Sequence, residues 1–327
     1  MEKRYVFRAD ASPEVGAGHV MRVSAIAEEL LNRGLRVSLV GEISEIEWLE
    51  KRVESMCHGL RFVSEEIFKS NPPSDVIIVD SYNIDINSSF LARENWLRTV
   101  ALIEIETPKY PADLFIHCGT NLNIQNDYLI ENSRFIGGVE YLPIRRSIRE
   151  INFSLDKNRG SKLIQILIIG GGTDPFGFVR CVGEFLNKTD LEFRATLVSD
   201  SPTILDSLDS RFEKKDIGNE LEMELLNADL VLTLAGTSSW DFLSCGIPIG
   251  VAIGAENQRD NFEFQKIHGI AAEIGSFSKV GIFHFNLENI LKLIENFEFR
   301  QNLSIRASKT VDKFGVARIA DELELLN

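Results

Sequence analysis

One histidine in this chain stands where a histidine could do chemistry. His19 lies in the run Phe7-Arg8-Ala9-Asp10-Ala11-Ser12-Pro13-Glu14-Val15-Gly16-Ala17-Gly18-His19-Val20-Met21-Arg22. Tyr5 and Phe7, alternating with Val6 and Arg8, predict a strand that ends at the turn residues Asp10, Ser12 and Pro13. Val20, Val23, Ala27, Leu30 and Leu31 fall at helical spacing, so a helix follows at once. His19 therefore belongs to a helix's first turn, where unpaired backbone N–H groups and the macrodipole attract anions. Gly16 and Gly18 leave no side chain between the backbone and whatever docks there. An imidazole beside an anion can act as a general base or as an electrostatic stabiliser. The sequence leaves both roles open. It also leaves open a tight strand-to-helix turn in which the histidine has no special use. Asp10 is a second candidate base or orienting carboxylate, or else a loop cap. His58, His117, His268 and His284 lack a glycine-rich setting and read as structural.

Of two familiar phosphate loops, the dinucleotide fingerprint is disfavoured and the P-loop fails. The third glycine of a dinucleotide fingerprint would fall on Met21, and no acid clearly closes the second strand. No Gly-Lys-Ser/Thr follows the turn, so it is not a P-loop.

The second half carries three more turns of interest. Ala235-Gly236-Thr237-Ser238-Ser239 follows an apolar strand, with the helix Trp240–Cys245 after it. Gly236 permits close backbone approach, and Thr237, Ser238 and Ser239 offer hydroxyls and N–H groups at a positive helix end, a diphosphate cradle or an ordinary N-cap. Asp241, read as part of that first turn, could accept from a ribose diol or simply complement the macrodipole. Gly170-Gly171-Gly172-Thr173-Asp174-Pro175 is a similar turn in which Gly172 could line a site and Asp174 could be a cap. Asn257 and Gln258 each offer a donor and an acceptor, suited to sugar hydroxyls or amides, with an N-cap as the plain role for Asn257.

These turns sit on repeated strand–helix units. Strands are predicted at Tyr5–Asp10, Arg36–Val40, Val76–Asp80, Val100–Ile105 and Leu114–His117, and helices at Gly18–Arg33, Ser44–Val53 and Ser88–Leu97. The alternation breaks across Phe135–Ser161, where the polar run Asp156-Lys157-Asn158-Arg159-Gly160 reads as an interdomain connection. It restarts with strands at Leu163–Ile169, Phe193–Val198, Asp229–Leu234 and Pro248–Ile253. Helices follow at Glu220–Asn227 and, in the tail, at Leu287–Phe297, Arg300–Phe314 and Val316–Leu326. The pattern predicts an α/β chain of two Rossmann-like domains, residues 1–150 and 151–327, with the last helix a candidate to pack back on the first domain. The site is expected in a central cleft, beyond the carboxyl ends of the strands, where Asp10, Asp80, Tyr82 and His117 all fall.

Composition narrows the partners. The chain has 327 residues, a net charge of -14 and 44% hydrophobic residues; its mean hydropathy is -0.03. That acidity argues against a nucleic-acid surface or a basic membrane-binding face. No signal peptide and no apolar run long enough to span a bilayer appear, so a cytoplasmic protein without membrane insertion is expected. Cys57, Cys118, Cys181 and Cys245 are scattered and read as reduced thiols. No metal-ligand cluster is evident, and no cofactor is expected.

Taken together, the motifs resemble those of UDP-2,4-diacetamido-2,4,6-trideoxy-β-L-altropyranose hydrolase, an enzyme of pseudaminic acid biosynthesis, and of related spore-coat polysaccharide proteins. The resemblance rests on Arg8-Ala9-Asp10-Ala11-Ser12 with Gly16-x-Gly18-His19-x-x-Arg22, and on Val79-Asp80-Ser81-Tyr82-Asn83. It continues through Gly138-Val139-Glu140-Tyr141-Leu142-Pro143-Ile144-Arg145, the Gly171–Pro175 turn, Ala235–Asp241, Gly246-Ile247-Pro248 and Asn257-Gln258. It implies a GT-B fold and metal-independent hydrolysis of a UDP-sugar, in which water attacks the anomeric carbon and UDP leaves. It also implies His19 as the catalytic histidine, Tyr82 as the family tyrosine on sugar or phosphate, and Gly16, Gly18 and Arg22 on the substrate. The diphosphate is expected at Gly236–Ser239, the ribose at Asp241, and further substrate contacts at Gly172, Asn257 and Gln258. Two positions depart from the family: Ile103-Glu104-Ile105-Glu106 stands where Asp-Asp is frequent, and Asp241 where Glu is usual. A UDP-sugar-dependent glycosyltransferase and a non-catalytic nucleotide-sugar binder are the competing readings.

Overall fold

Parallel strands buried on both faces need nearly continuous apolar sequence, and Asp75–Asp80 supplies it: all six residues are buried. The computed structural model describes residues 3–72, 74–130, 132–155, 163–218, 221–278 and 280–326. The run Asp156–Gly160 lies outside the described residues. The chain divides into two units, the first made of Met1–Arg146 and Lys313–Asn327, the second of Ser147–Asp312.

The strands of the first unit are β1 (Arg4–Ala9), β2 (Arg36–Val40), β3 (Phe62–Val63), β4 (Asp75–Asp80), β5 (Arg98–Leu102), β6 (Leu114–His117) and β7 (Arg134–Gly137). They form one parallel sheet in the order β3-β2-β1-β4-β5-β6-β7. The order reverses beside β1, as in a doubly wound sheet. Helices α1 (Gly18–Asn32) and α2 (Glu47–Met56) pack on one face, and the short α3 (Gln125–Tyr128) precedes β7. Val20, Val23, Ile26 and Leu30 of α1 share a core with Tyr5 and Phe7. Each such fully buried aliphatic contributes about 1.5–3 kcal/mol.

The division falls inside the short helix α4 (Arg146–Arg149), and the second unit begins at its Ser147. Its sheet runs β10 (Phe212–Lys215), β9 (Phe193–Val198), β8 (Ile164–Ile169), β11 (Leu230–Leu234), β12 (Ile249–Ile253), β13 (Ala272–Phe277) and β14 (Phe283–Phe285). All pairings are parallel except β13 with β14. Around it lie α5 (Phe178–Asn187), α6 (Leu221–Asn227), α7 (Thr237–Ser244), α8 (Arg259–Ile267), α9 (Leu287–Glu295) and α10 (Phe297–Thr310). The last helix, α11 (Gly315–Glu324), belongs to the first unit. Val316, Ile319, Ala320 and Leu323 join the α1 core, and Arg33 reaches Asp321 and Glu324 at 2.6 and 2.7 Å.

Several elements differ from the sequence expectation. Ser88–Leu97 is two 3-10 turns, Ser89–Leu91 and Arg93–Asn95, rather than a helix. Tertiary packing overrides local propensity there, because the Trp96 indole N–H donates to the Phe90 carbonyl and both rings pack with Phe68. β7 falls inside the predicted break and ends on glycine. β3, β7 and β14 have two to four residues, too few to show a periodicity.

Candidate active site

His19 is the second residue of α1, and its position is fixed by the turn before it. Gly16 has φ +82°, and its N–H donates to the Ser12 carbonyl at 2.7 Å. A Cβ there would meet nothing, so the glycine serves the left-handed backbone and not the spacing. The first turn of α1 has no side-chain cap, leaving its amino-terminal N–H groups available to an anion.

The imidazole is nine-tenths buried, with Nδ1 2.6 Å from Asp80 Oδ1. Asp80, at the end of β4, is 1% exposed and also accepts from Arg22 Nε at 2.6 Å and Nη2 at 2.7 Å, a bidentate fork. Burial alone would raise its pKa, but Arg22 and His19 outweigh burial and bring it down to about 2. An ionised Asp80 accepts only, so Nδ1 carries the proton and donates. Nε2 is then the acceptor; it has no hydrogen-bond partner among the described residues and is not among the polar atoms sealed from solvent. The Tyr82 ring stands edge-on to the imidazole, centroids 4.3 Å apart. Glu104 closes the group, accepting from Arg22 Nη1 and from the Tyr82 hydroxyl. Burial and then Glu104 hold the Tyr82 hydroxyl well above the usual phenol range.

The predicted residues divide here. His19, Arg22 and Tyr82 come together. Arg22, expected on substrate, is buried with its guanidinium committed to Asp80 and Glu104 and with Nη2 3.3 Å from His19 Nδ1, a contact longer than the 2.6 Å between Nδ1 and Asp80, so it supports the site from within. Asp10 stands apart from the cluster: its carboxylate accepts from the Glu42 N–H at 2.9 Å and pairs with Arg8 at 2.6 Å, a loop tie. Asp80 and Glu104 were not among the candidate site residues. Asp80 had a sequence signal, since an acid closing a fully buried apolar strand needs a cation. Glu104 had only its place in Ile103-Glu104-Ile105-Glu106, the stretch set against the family's Asp-Asp.

In the second unit, three turns gather at the carboxyl ends of the strands. Gln258 Oε1 accepts from the Gly254 N–H at 2.8 Å, and a Cβ on Gly236 would lie 3.7 Å from Gln258 Nε2. A Cβ on Gly254 would strike the Phe176 ring, which joins the Gly170–Asp174 turn to the same place. Thr237 is exposed and Ser238 half-buried at the amino end of α7, which has no side-chain cap. Ser239 points inward: its hydroxyl donates to the Gly236 carbonyl at 2.7 Å and accepts from Gln265 Nε2 at 2.8 Å, so it belongs to the packing. Helix α7 begins at Thr237 and not at Trp240, which puts Asp241 beyond the first turn. Asn257 is exposed in a 3-10 turn and caps nothing. Gly172 lies half-buried beside Gly171, which has the left-handed φ of +97°.

Asp174 separates the two helix ends. Its carboxylate accepts from the N–H groups of Phe178 at 2.9 Å and Val179 at 3.1 Å, filling the amino end of α5 with the protein's own charge. Of these two helix ends, that of α7 is therefore the anion-receptive one. Burial lifts the Asp174 pKa to about 6 in spite of those two bonds. A folded-state pKa above the unfolded value means stability that is full below about 4 and lost as pH rises through 6. Paired thermal-denaturation series should show the wild type losing more stability over that window than Asp174→Asn, which keeps the cap without titrating. Parallel curves would sink this prediction.

The four cysteines form no disulfide. Among the described residues no cluster of His, Cys, Asp and Glu is arranged to hold a metal ion, and no helix is long and apolar enough to cross a membrane.

No family model matches the chain. A protein of Methanocaldococcus jannaschii described as uncharacterized is 27% identical over 283 residues, taking in 78% of this chain and 56% of its own length. The chain thus spans about half of that relative. Among solved structures, UDP-GlcNAc 2-epimerase from Neisseria meningitidis bound to UDP-GlcNAc is similar, with TM-score 0.67 and 14% identity, covering 98% of this chain and 99% of that one. Arabidopsis thaliana UGT89C1 complexed with UDP-L-rhamnose has TM-score 0.64 at 11% identity, covering 99% and 98%. Acinetobacter baumannii MurG has TM-score 0.62 at 12% identity, covering 98% and 99%. These likenesses establish the fold: the chain consists of two Rossmann-like domains of the GT-B class.

Proposed function

We propose that this chain is a metal-independent UDP-sugar hydrolase, acting on a UDP-linked deoxy-diacetamido sugar in the making of a pseudaminic-type nonulosonic acid or a surface polysaccharide. The observation that carries the reading is the His19–Asp80 pair at the uncapped start of α1, with Nε2 left as the acceptor. Two structures of the same fold hold UDP-sugars, UDP-GlcNAc in one and UDP-L-rhamnose in the other, which supports the ligand class. In the proposed step a water oxygen bonds to the anomeric carbon while its proton passes to His19 Nε2. The bond from that carbon to the diphosphate oxygen breaks, and its electron pair leaves with UDP. Asp80 stabilises the imidazolium that forms. The second unit holds the nucleotide, with the diphosphate on the N–H groups of α7 beside Gly236, Thr237 and Ser238.

A UDP-sugar panel followed for UDP release, with and without acceptor alcohols, tests this. Release from a diacetamido UDP-sugar in water alone is expected. Release only with an acceptor would make the chain a glycosyltransferase, and UDP-sugar binding with no release under any condition would make it a binding protein. Ser238→Glu should weaken UDP binding at least about tenfold, because a carboxylate ~5 Å from a phosphate costs about 3 kcal/mol at an effective dielectric of ~20. Titration calorimetry with UDP measures this, and an unchanged affinity would move the diphosphate elsewhere.

A further inference from the structure

Glu104 touches no atom of His19 through a hydrogen bond, yet it is bonded to both side chains that flank the imidazole. One carboxylate oxygen accepts from Arg22 Nη1, and Arg22 forks onto Asp80, which holds Nδ1. The other accepts from the hydroxyl of Tyr82, whose ring stands against the imidazole. Glu104 is itself fixed through its backbone. Its N–H donates to Thr107 Oγ1 at 2.8 Å, and its carbonyl accepts from the Tyr128 hydroxyl at 3.1 Å. A pinned acceptor that joins the two walls of a histidine does something neither wall does alone. It fixes the angle between the Asp80 bond and the Tyr82 ring, and so the direction of the Nε2 lone pair.

We propose that Glu104 is a positioning residue for His19, locking the imidazole in the Nδ1–H tautomer by clamping Arg22 and Tyr82 together. The proposal rests on the hydrolase reading only for its effect on rate; the tautomer it sets is a property of the unliganded chain. Burial alone would favour a protonated Glu104, but Arg22 and then His19 outweigh it and keep the carboxylate an acceptor for both donors. Without the clamp the Tyr82 hydroxyl loses its acceptor, the ring is free to turn, and the imidazole loses its edge contact. A displaced base costs rate and not affinity, on the order of 10²-fold when the shift approaches ~1 Å.

The test uses the full chain labelled with 15N-histidine. Long-range 1H–15N spectra give the nitrogen shifts of His19, assigned by loss of its signals in His19→Gln. The wild type is expected to show Nδ1 protonated and Nε2 unprotonated. Glu104→Ala and Tyr82→Phe are expected to move both nitrogens toward a mixture of tautomers. Glu104→Gln, whose amide oxygen can accept from Arg22 while the Tyr82 hydroxyl rotates to accept from its NH2, is expected to recover the wild-type pattern. In turnover assays Glu104→Ala should lower kcat with KM within about twofold, and Glu104→Gln should regain most of it. Wild-type nitrogen shifts in folded Tyr82→Phe and Glu104→Ala would overturn the proposal, as would a rise in KM at constant kcat. If Glu104→Ala does not fold, Tyr82→Phe and Glu104→Gln decide by the same shifts. Should no UDP-sugar be hydrolysed by the wild type, the hydrolase reading falls, and the spectra alone still decide the role of Glu104.

Discussion

His19→Ala is expected to lower UDP release by about 10²–10⁴-fold, the usual worth of a positioned general base, with UDP affinity unchanged. The two halves of that expectation come from different units. The proposed base is built on α1 and β4 in the first, and the diphosphate is proposed to lie at α7 in the second. The variant should also fold, because Asp80 keeps both of its bonds from Arg22 when the imidazole is gone. Loss of turnover in a protein with wild-type melting temperature and wild-type UDP binding would therefore isolate the chemical step. Unchanged turnover would remove His19 from the mechanism, and weakened UDP binding would place the diphosphate near α1 instead. The same variant separates the two roles that the sequence left open. An electrostatic stabiliser at this position would be partly replaced by His19→Lys, whereas a base on Nε2 would not.

How much of this was legible without coordinates depends on the type of signal. The doubly wound sheets were legible because buried parallel strands such as Asp75–Asp80 and Leu230–Leu234 are apolar almost throughout and alternate with helical periods. The short strands β3, β7 and β14 were not, because two to four residues carry no periodicity and pairing with a neighbouring strand defines them. His19 was legible from its place after two glycines. The role of Arg22 was not, since a sequence places an arginine one helical turn after a histidine but does not say whether it faces ligand or core. Glu104 lies 82 residues from Arg22 along the chain, and they meet because α1 packs against β4 while β5, just before Glu104, pairs with β4. Likewise Ser238 and Ser239 are adjacent in sequence, and the pitch of α7 alone leaves one half-buried and turns the other inward onto Gln265. Side-chain identity was readable at every one of these positions, and side-chain direction required the fold.

The largest effect on stability is expected from Arg22→Met. Arg22 is 5% exposed and holds the charge of Asp80, itself 1% exposed. The methionine fills much of the same volume, so the cost is mainly that of a buried carboxylate stripped of its cation and left with the His19 N–H, about 3–5 kcal/mol. An exposed pair such as Arg61 and Glu54 is worth about 0–1 kcal/mol by comparison. Urea unfolding should show a lower midpoint at an unchanged slope. The pH dependence identifies the cause. In the wild type Asp80 titrates at about 2, below its unfolded value of 3.8, so it contributes stability above about pH 4 that is lost as pH falls toward 2. With Arg22 gone, burial dominates and raises the Asp80 pKa, and protonation then relieves the variant as pH falls. The gap between wild type and Arg22→Met is therefore widest near neutral pH and narrows below about pH 4. A gap constant from pH 7 to pH 3 would mean that Arg22 stabilises this unit through packing of its stem rather than through the charge it places on Asp80.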